Sequence, residues 1–313
     1  MDQEQRSTPS EALPPAPSEE HYPFLILSVQ LLASLMLGAT AVVLYQGLAT
    51  AVGWDTELIS TGLRADAAPV ERWQMRVLLA LSHLLTFVLA GWAVVRLFYP
   101  PTTRALDYLR VRRPPQALVV GGAVSLMLLA LPLVLYAYEW NRSLPIPDAL
   151  RQSEAEANEM LKELLRMDNM WEFLANLVLI ALLPAIGEEL VFRGVVQQQL
   201  MRLVREPWVA ILLAGAVFSF AHFQFEGFLP RLLLGVLLGW LYWRFQNFWV
   251  PAAAHFANNG LQVLAQYLYH RDVSTLNLEE DISVPVYLAL FSAASVLYLA
   301  RLLQRQPGAN NFL

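Results

Sequence analysis

The chain has 313 residues, 57% of them hydrophobic and 15% charged, with a mean hydropathy of +0.44 and a net charge of −5. Soluble domains usually carry roughly 25% charged residues, so this composition is that of a membrane protein. There is no cysteine, which excludes disulfides, thiolate metal ligands and a cysteine nucleophile, and the negative charge suggests no nucleic-acid partner.

The first 21 residues are polar, with Pro14, Pro15 and Pro17 among Glu11, Glu19 and Glu20, a composition that predicts a disordered tail. Residues 22–313 are expected to form the integral membrane domain. The apolar run 22–54 is too long, and too poor in preceding basic residues, for a cleaved signal peptide, so it is taken as the first span. A span needs about 20 mostly apolar residues. The uncharged stretches 77–95, 114–138 and 282–300 supply three more. Between them, less cleanly, 171–190, 207–225, 229–246 and 249–269 supply four. The predicted fold is therefore all-α: a polytopic membrane bundle of about eight transmembrane helices, with a four-helix catalytic core at about 170–270.

The link after the second span holds Arg96, Arg104, Arg110, Arg112 and Arg113. The positive-inside rule assigns it to the cytoplasm, and eight spans then put both termini there too. The link 139–172 is acidic, with Asp148, Glu154, Glu156, Glu159, Glu163 and Asp168 beside Leu150, Met160, Leu161, Leu164 and Leu165. That pattern predicts a short amphipathic helix on the opposite surface, or more plainly a solvated connector.

The chemistry concentrates in three stretches at membrane depth, where an acid or base costs about 2.5–3.5 kcal/mol on translocon scales. The first is Gly187-Glu188-Glu189-Leu190-Val191-Phe192-Arg193. Adjacent helical residues diverge by about 100°, so the two carboxylates cannot share one face. Glu189 and Arg193, four apart with the acid first, are in the favourable order for an ion pair. Glu188 is left free as a working carboxylate suited to general-base chemistry. The plainer alternative is an interfacial charge cluster at the end of the fourth span.

The second stretch is Phe218-Ser219-Phe220-Ala221-His222. A lone histidine on an apolar helix is more often a core residue than a catalytic one, and His83 in the second span has only that reading. His222 is different. Glu188 and His222 lie at equal chain distances from Arg205, so a helical hairpin turning near Arg205-Glu206-Pro207 would bring them to one depth, where both could hold a water. The third stretch, His255-Phe256-Ala257-Asn258-Asn259, puts His255 and Asn259 one turn apart on one face, shortly after Pro251. Their N–H groups suit an oxyanion hole. Glu188, His222 and His255 are equally an accepted zinc set, and the sequence does not separate the two. Asn258 is expected to make a helix–helix hydrogen bond. One mismatch stands: His255 lies nearer the cytoplasmic surface than His222 by simple counting, so either the fifth span tilts or the segment 245–251 dips inward.

Together these residues resemble the EExxxR, FxxxH and HxxxN signatures of the CPBP intramembrane proteases, the group of the type II CAAX prenyl endopeptidases and the bacteriocin-processing or self-immunity (Abi) proteins. Glu188, Glu189 and Arg193 match the first motif, Phe218 and His222 the second, His255 and Asn259 the third, over about residues 170–270. The resemblance implies that Glu188 and His222 activate water for attack on a peptide carbonyl and that His255 and Asn259 stabilise the oxyanion. Zinc dependence stays open. The implied partners are a peptide or lipopeptide substrate and membrane lipid. No HExxH, no GxSG-like serine and no aspartate pair within spans points to another intramembrane protease. The alternative is a non-enzymatic scaffold or transporter, which would also keep buried carboxylates and histidines.

Overall fold

The computed structural model describes residues 22–100, 102–274 and 283–306, all helix, turn and loop, with no strand among the described residues. The expected tail at 1–21 lies outside them. Nine helices of more than ten residues form the body: α1 Pro23–Val52, α2 Pro69–Phe98, α3 Ala117–Arg142, α4 Asp148–Leu165, α5 Met170–Val204, α6 Pro207–Phe220, α7 Phe228–Phe245, α8 Trp249–His270 and α9 Val286–Gln304. All except α4 correspond to the eight predicted spans. Six of these (α1, α2, α3, α5, α7 and α9) are long and apolar enough to cross a membrane, while α6 is apolar but shorter. The eighth, α8, buries His255, Asn258 and Gln266 among its apolar residues.

The bundle is apolar outside and charged inside. Phe24, Met36 and Phe291 each expose about 70% of their surface, whereas Glu189, Arg193, Arg72 and Arg76 expose 1% or less. That inversion is what a hydrocarbon solvent demands, because a charge there must find its partner within the protein. At one end, Arg72 and Arg76 of α2 meet Asp168 and Glu172. Arg76 Nε also donates to Asn176 Oδ1 at 2.8 Å and its Nη2 to the Leu164 carbonyl at 3.1 Å. These contacts explain why α2 begins at Pro69 and not at the first uncharged residue, 77.

Helix α5 is a 35-residue rod rather than the 20-residue span expected, and it widens into π-helical turns at Leu177–Leu182 and Phe192–Gln197. The first immediately precedes Pro184, whose ring and missing N–H would otherwise break the α-helical ladder. The second follows the paired glutamates; such turns are common at functional sites. Glu188 therefore sits, buried, in the middle of a long rod. The α5–α6 hairpin turns where expected, with Arg205 left-handed (φ 56°) and the Glu206 side chain capping Trp208 N–H.

Helix α6 ends at Phe220, not at 225, so His222 lies in the turn 221–227 and not on a helix. That turn is held from three sides. Ser219 Oγ donates to the Phe228 carbonyl at 2.6 Å, and Asn141 Nδ2 to the Phe225 carbonyl at 2.6 Å. Glu154 of α4 accepts the N–H groups of Phe225 and Glu226. The acidic link is thus no solvated connector: Glu154 is buried and Met160, Leu161 and Leu164 of α4 face the interior cavity.

Close approach of α6 and α7 depends on glycine. A Cβ on Gly235 would lie 2.9 Å from Gly215 Cα, a backbone atom that cannot step aside. Gly235→Val should destabilise the protein by about 1–3 kcal/mol, the usual cost of overpacking. Gly121→Val, at a position with nothing within 4 Å, should melt like wild type in the same detergent. Equal melting temperatures for the two variants would contradict this packing.

Candidate active site

Glu188, His222, His255 and Asn259 all line one cavity of about 360 Å³ between α2, α4, α5, α7 and α8. Two chain reversals bring them there. The α5–α6 hairpin carries Glu188 and His222 to it. The short turn between α7 and α8 carries His255: Phe248 is buried and its N–H donates to the Arg110 carbonyl at 3.3 Å, while Asn247 Nδ2 donates to the Arg113 carbonyl at 2.7 Å. The segment 245–251 is therefore anchored to the Arg110–Arg113 strip, and His255 reaches the same cavity as His222.

The paired glutamates divide their work. Glu189, fully buried, places Oε1 3.0 Å from Arg193 Nη1 and accepts a hydrogen bond from His255 Nδ1 at 2.8 Å. The Arg193 contact is an ion pair rather than an aligned hydrogen bond, and Glu189 Oε2 is buried without a hydrogen-bond partner. Arg193 Nη2 instead donates to the Gly235 carbonyl at 3.1 Å, and its guanidinium lies 4.8 Å from the centre of the Phe218 ring. The expected Glu189–Arg193 pair is present, but Glu189 has a second task the sequence did not reveal: it holds His255.

Phe218 joins the parts. Its ring meets His222 edge-on at 5.0 Å, His255 at 6.1 Å and Phe192 at 5.1 Å. His222 Nδ1 donates to the Phe218 carbonyl at 2.9 Å, and since a carbonyl can only accept, a neutral ring has its lone pair on Nε2. By the same logic, Nδ1–H of His255 points to Glu189 and its Nε2 stands 3.9 Å from Glu188 Oε2. Asn259 Nδ2 donates to the Ile180 carbonyl at 3.1 Å, and its Oδ1 accepts from Asn258 Nδ2 at 3.0 Å. Asn258, expected to bridge helices, lines the cavity and orients Asn259 instead.

Glu188 is not free, as expected from sequence, but flanked. His255 approaches one oxygen, and His83 of α2 approaches the other, with Nε2 3.6 Å from Oε1. His83 also lines the cavity, and no feature of the sequence near it gave a functional reading. The depth of its span was the one available signal. Among the described residues no three His, Asp or Glu side chains stand as a metal-holding group. Glu188, His222 and His255 offer donor types that zinc accepts, but not an arrangement that fits it as they stand.

Residues 170–261 match the family model described as Type II CAAX prenyl endopeptidase Rce1-like. This stretch is similar to the CAAX protease (CPBP) family, in line with the resemblance carried by its motifs. The matched segment holds all six residues singled out by sequence and leaves His83 outside. At family level the match supports an intramembrane peptidase with a peptide substrate. No curated protein and no solved structure gives a match.

Removing the Arg193 side chain would leave Glu189 charged and buried with only His255 against it. Arg193→Ala is expected to cost about 3–5 kcal/mol of stability and to abolish activity through the displaced imidazole. Thermal unfolding in detergent checks the first half; a variant as stable as wild type would contradict the pairing.

Proposed function

We propose that the protein hydrolyses a peptide bond inside this cavity with water as nucleophile, activated by Glu188 and His222. The observation that carries the reading is the convergence of Glu188, His222, His255 and Asn259 on one cavity. Glu188 and the bare Nε2 of His222 are the acceptors that take the proton from water. The water oxygen bonds to the carbonyl carbon, and the carbonyl oxygen becomes an oxyanion. Asn259 has one amide N–H left after its bond to Ile180, and His255, held by Glu189 at Nδ1, donates from Nε2 when that nitrogen carries a proton. These are the donors for the oxyanion. Collapse of the intermediate breaks the C–N bond, and the proton taken from water passes to the leaving amine.

The reaction is written without a metal because the arrangement above does not form a three-ligand site. Activity should survive dialysis against a chelator that strips zinc. The apolar wall, including Leu79, Met127, Leu161, Leu234 and Leu238, suits a peptide with a large apolar or lipid-bearing residue beside the scissile bond. A CAAX-like C-terminal peptide, prenylated or not, is the first substrate to offer, and a bacteriocin-type leader the second.

With a panel of such peptides in detergent or proteoliposomes, Glu188→Gln and His222→Ala should each lower kcat by about 10²–10⁴-fold, the range of general acid–base catalysis. Asn259→Ala should lower it by about 10²–10³-fold, the effect of one lost oxyanion donor. Wild-type rates in Glu188→Gln, or no cleavage of any panel member by the wild type, would leave the scaffold or transporter reading in its place.

The orientation follows from the arginine-rich strip. With Arg110 and Arg113 in the cytoplasm, both termini are cytoplasmic and α4 roofs the cavity from the other side. Because the natural chain has no cysteine, single Asp107→Cys and Ser143→Cys variants report this directly. In intact cells an impermeant thiol reagent should label only Ser143→Cys; labelling only Asp107→Cys would invert the topology.

A further inference from the structure

His83 lines the cavity from α2, outside the matched segment. Its ring is held in place: Nδ1 lies 3.3 Å from the Leu79 carbonyl, and Phe87 packs against it with ring centres 5.5 Å apart, which leaves Nε2 to carry the N–H that meets a carboxylate. Nε2 is thereby directed at Glu188 Oε1, 3.6 Å away. The approach is built into the backbone, because Gly187, beside Glu188, lets α2 come close; a Cβ there would stand 2.9 Å from Phe87 Cβ and 3.2 Å from Val88 Cγ2. A histidine that merely filled core volume would not need a carboxylate at its outer nitrogen or a wall of the cavity at its side. Catalytic contacts of this kind are often long in a resting site and tighten when substrate enters.

We propose that His83 is a positioning residue for Glu188: it engages Oε1, fixes the plane of the carboxylate, and leaves Oε2, the oxygen facing His255, to take the proton from water. The proposal rests on the peptidase reading given above and adds a residue from outside the motif-bearing core. It also gives α2 a part in the site, through a contact between segments far apart in sequence.

The test compares wild type, His83→Leu, His83→Gln, Glu188→Gln and the double variant His83→Leu/Glu188→Gln in the peptide assay, with thermal melts of each. His83→Leu should keep its fold and its KM while kcat falls on the order of 10²-fold, the effect of a misplaced catalytic group. His83→Gln, which retains an N–H donor, should recover most of that loss. The double variant should be no slower than Glu188→Gln alone, since the two act as a unit. A His83→Leu enzyme with wild-type kcat, or a loss that adds in full to that of Glu188→Gln, would overturn the proposal while the inactive Glu188→Gln still upheld the peptidase reading. An active Glu188→Gln would overturn both. A second measurement needs no substrate. In protein labelled with heavy nitrogen at histidine, the His83 ring signals, identified by their loss in His83→Gln, should move when Glu188 becomes Gln. Signals that stay put would overturn the contact itself.

Discussion

One buried carboxylate oxygen organises the core. Glu189 Oε1 accepts from His255 of α8 and faces Arg193 one turn along α5; Arg193 in turn reaches the Gly235 carbonyl of α7 and lies over Phe218 of α6. Four helices are thereby fixed around a single negative charge, and all four carry groups that line the cavity. Burying such a charge in a membrane protein is tolerable only with opposite charge and hydrogen-bond donors beside it, here Arg193 and His255. The outcome is an inner lining whose geometry is set by ion pairing, while its outer surface is held by apolar contact with lipid.

The remaining polar contacts serve the same end at the edges. Arg72 and Arg76 fasten α2 to the start of α5, and Gly187 lets the two helices touch, so that His83 and Glu188 are neighbours. Glu154 and Asn141 hold the turn that bears His222. The Arg110–Arg113 strip holds the turn before His255. His222 and His255 thus each stand at or near a bend that is hydrogen-bonded to a neighbouring segment, which is the kind of support that keeps a site within its working geometry.

What the sequence disclosed follows from the range of the interactions involved. Glu189 with Arg193, Phe218 with His222 and His255 with Asn259 are one-turn relations, fixed by helical periodicity and readable without a fold. The eight rods were legible for the same reason, since apolar length is a local property. The misses are all long-range. The end of α6 at Phe220 depends on bonds from Asn141 and Glu154, and the early start of α2 on carboxylates of the segment leading into α5. The π turns of α5 have no compositional mark. His83 was passed over because its partner lies on another helix, and Glu189 was given one partner instead of two because His255 is likewise distant in the chain.

The central claim is that a water molecule can be held between an acid on α5 and an imidazole in the α6–α7 turn, inside the bundle. An experimental density map of the solubilised protein, fine enough to show ordered solvent, tests it most directly. The account predicts a water in the cavity within hydrogen-bond reach of both Glu188 and His222, with His255 and Asn259 beside it. A dry cavity, or a Glu188 carboxylate turned away from His222, would contradict it.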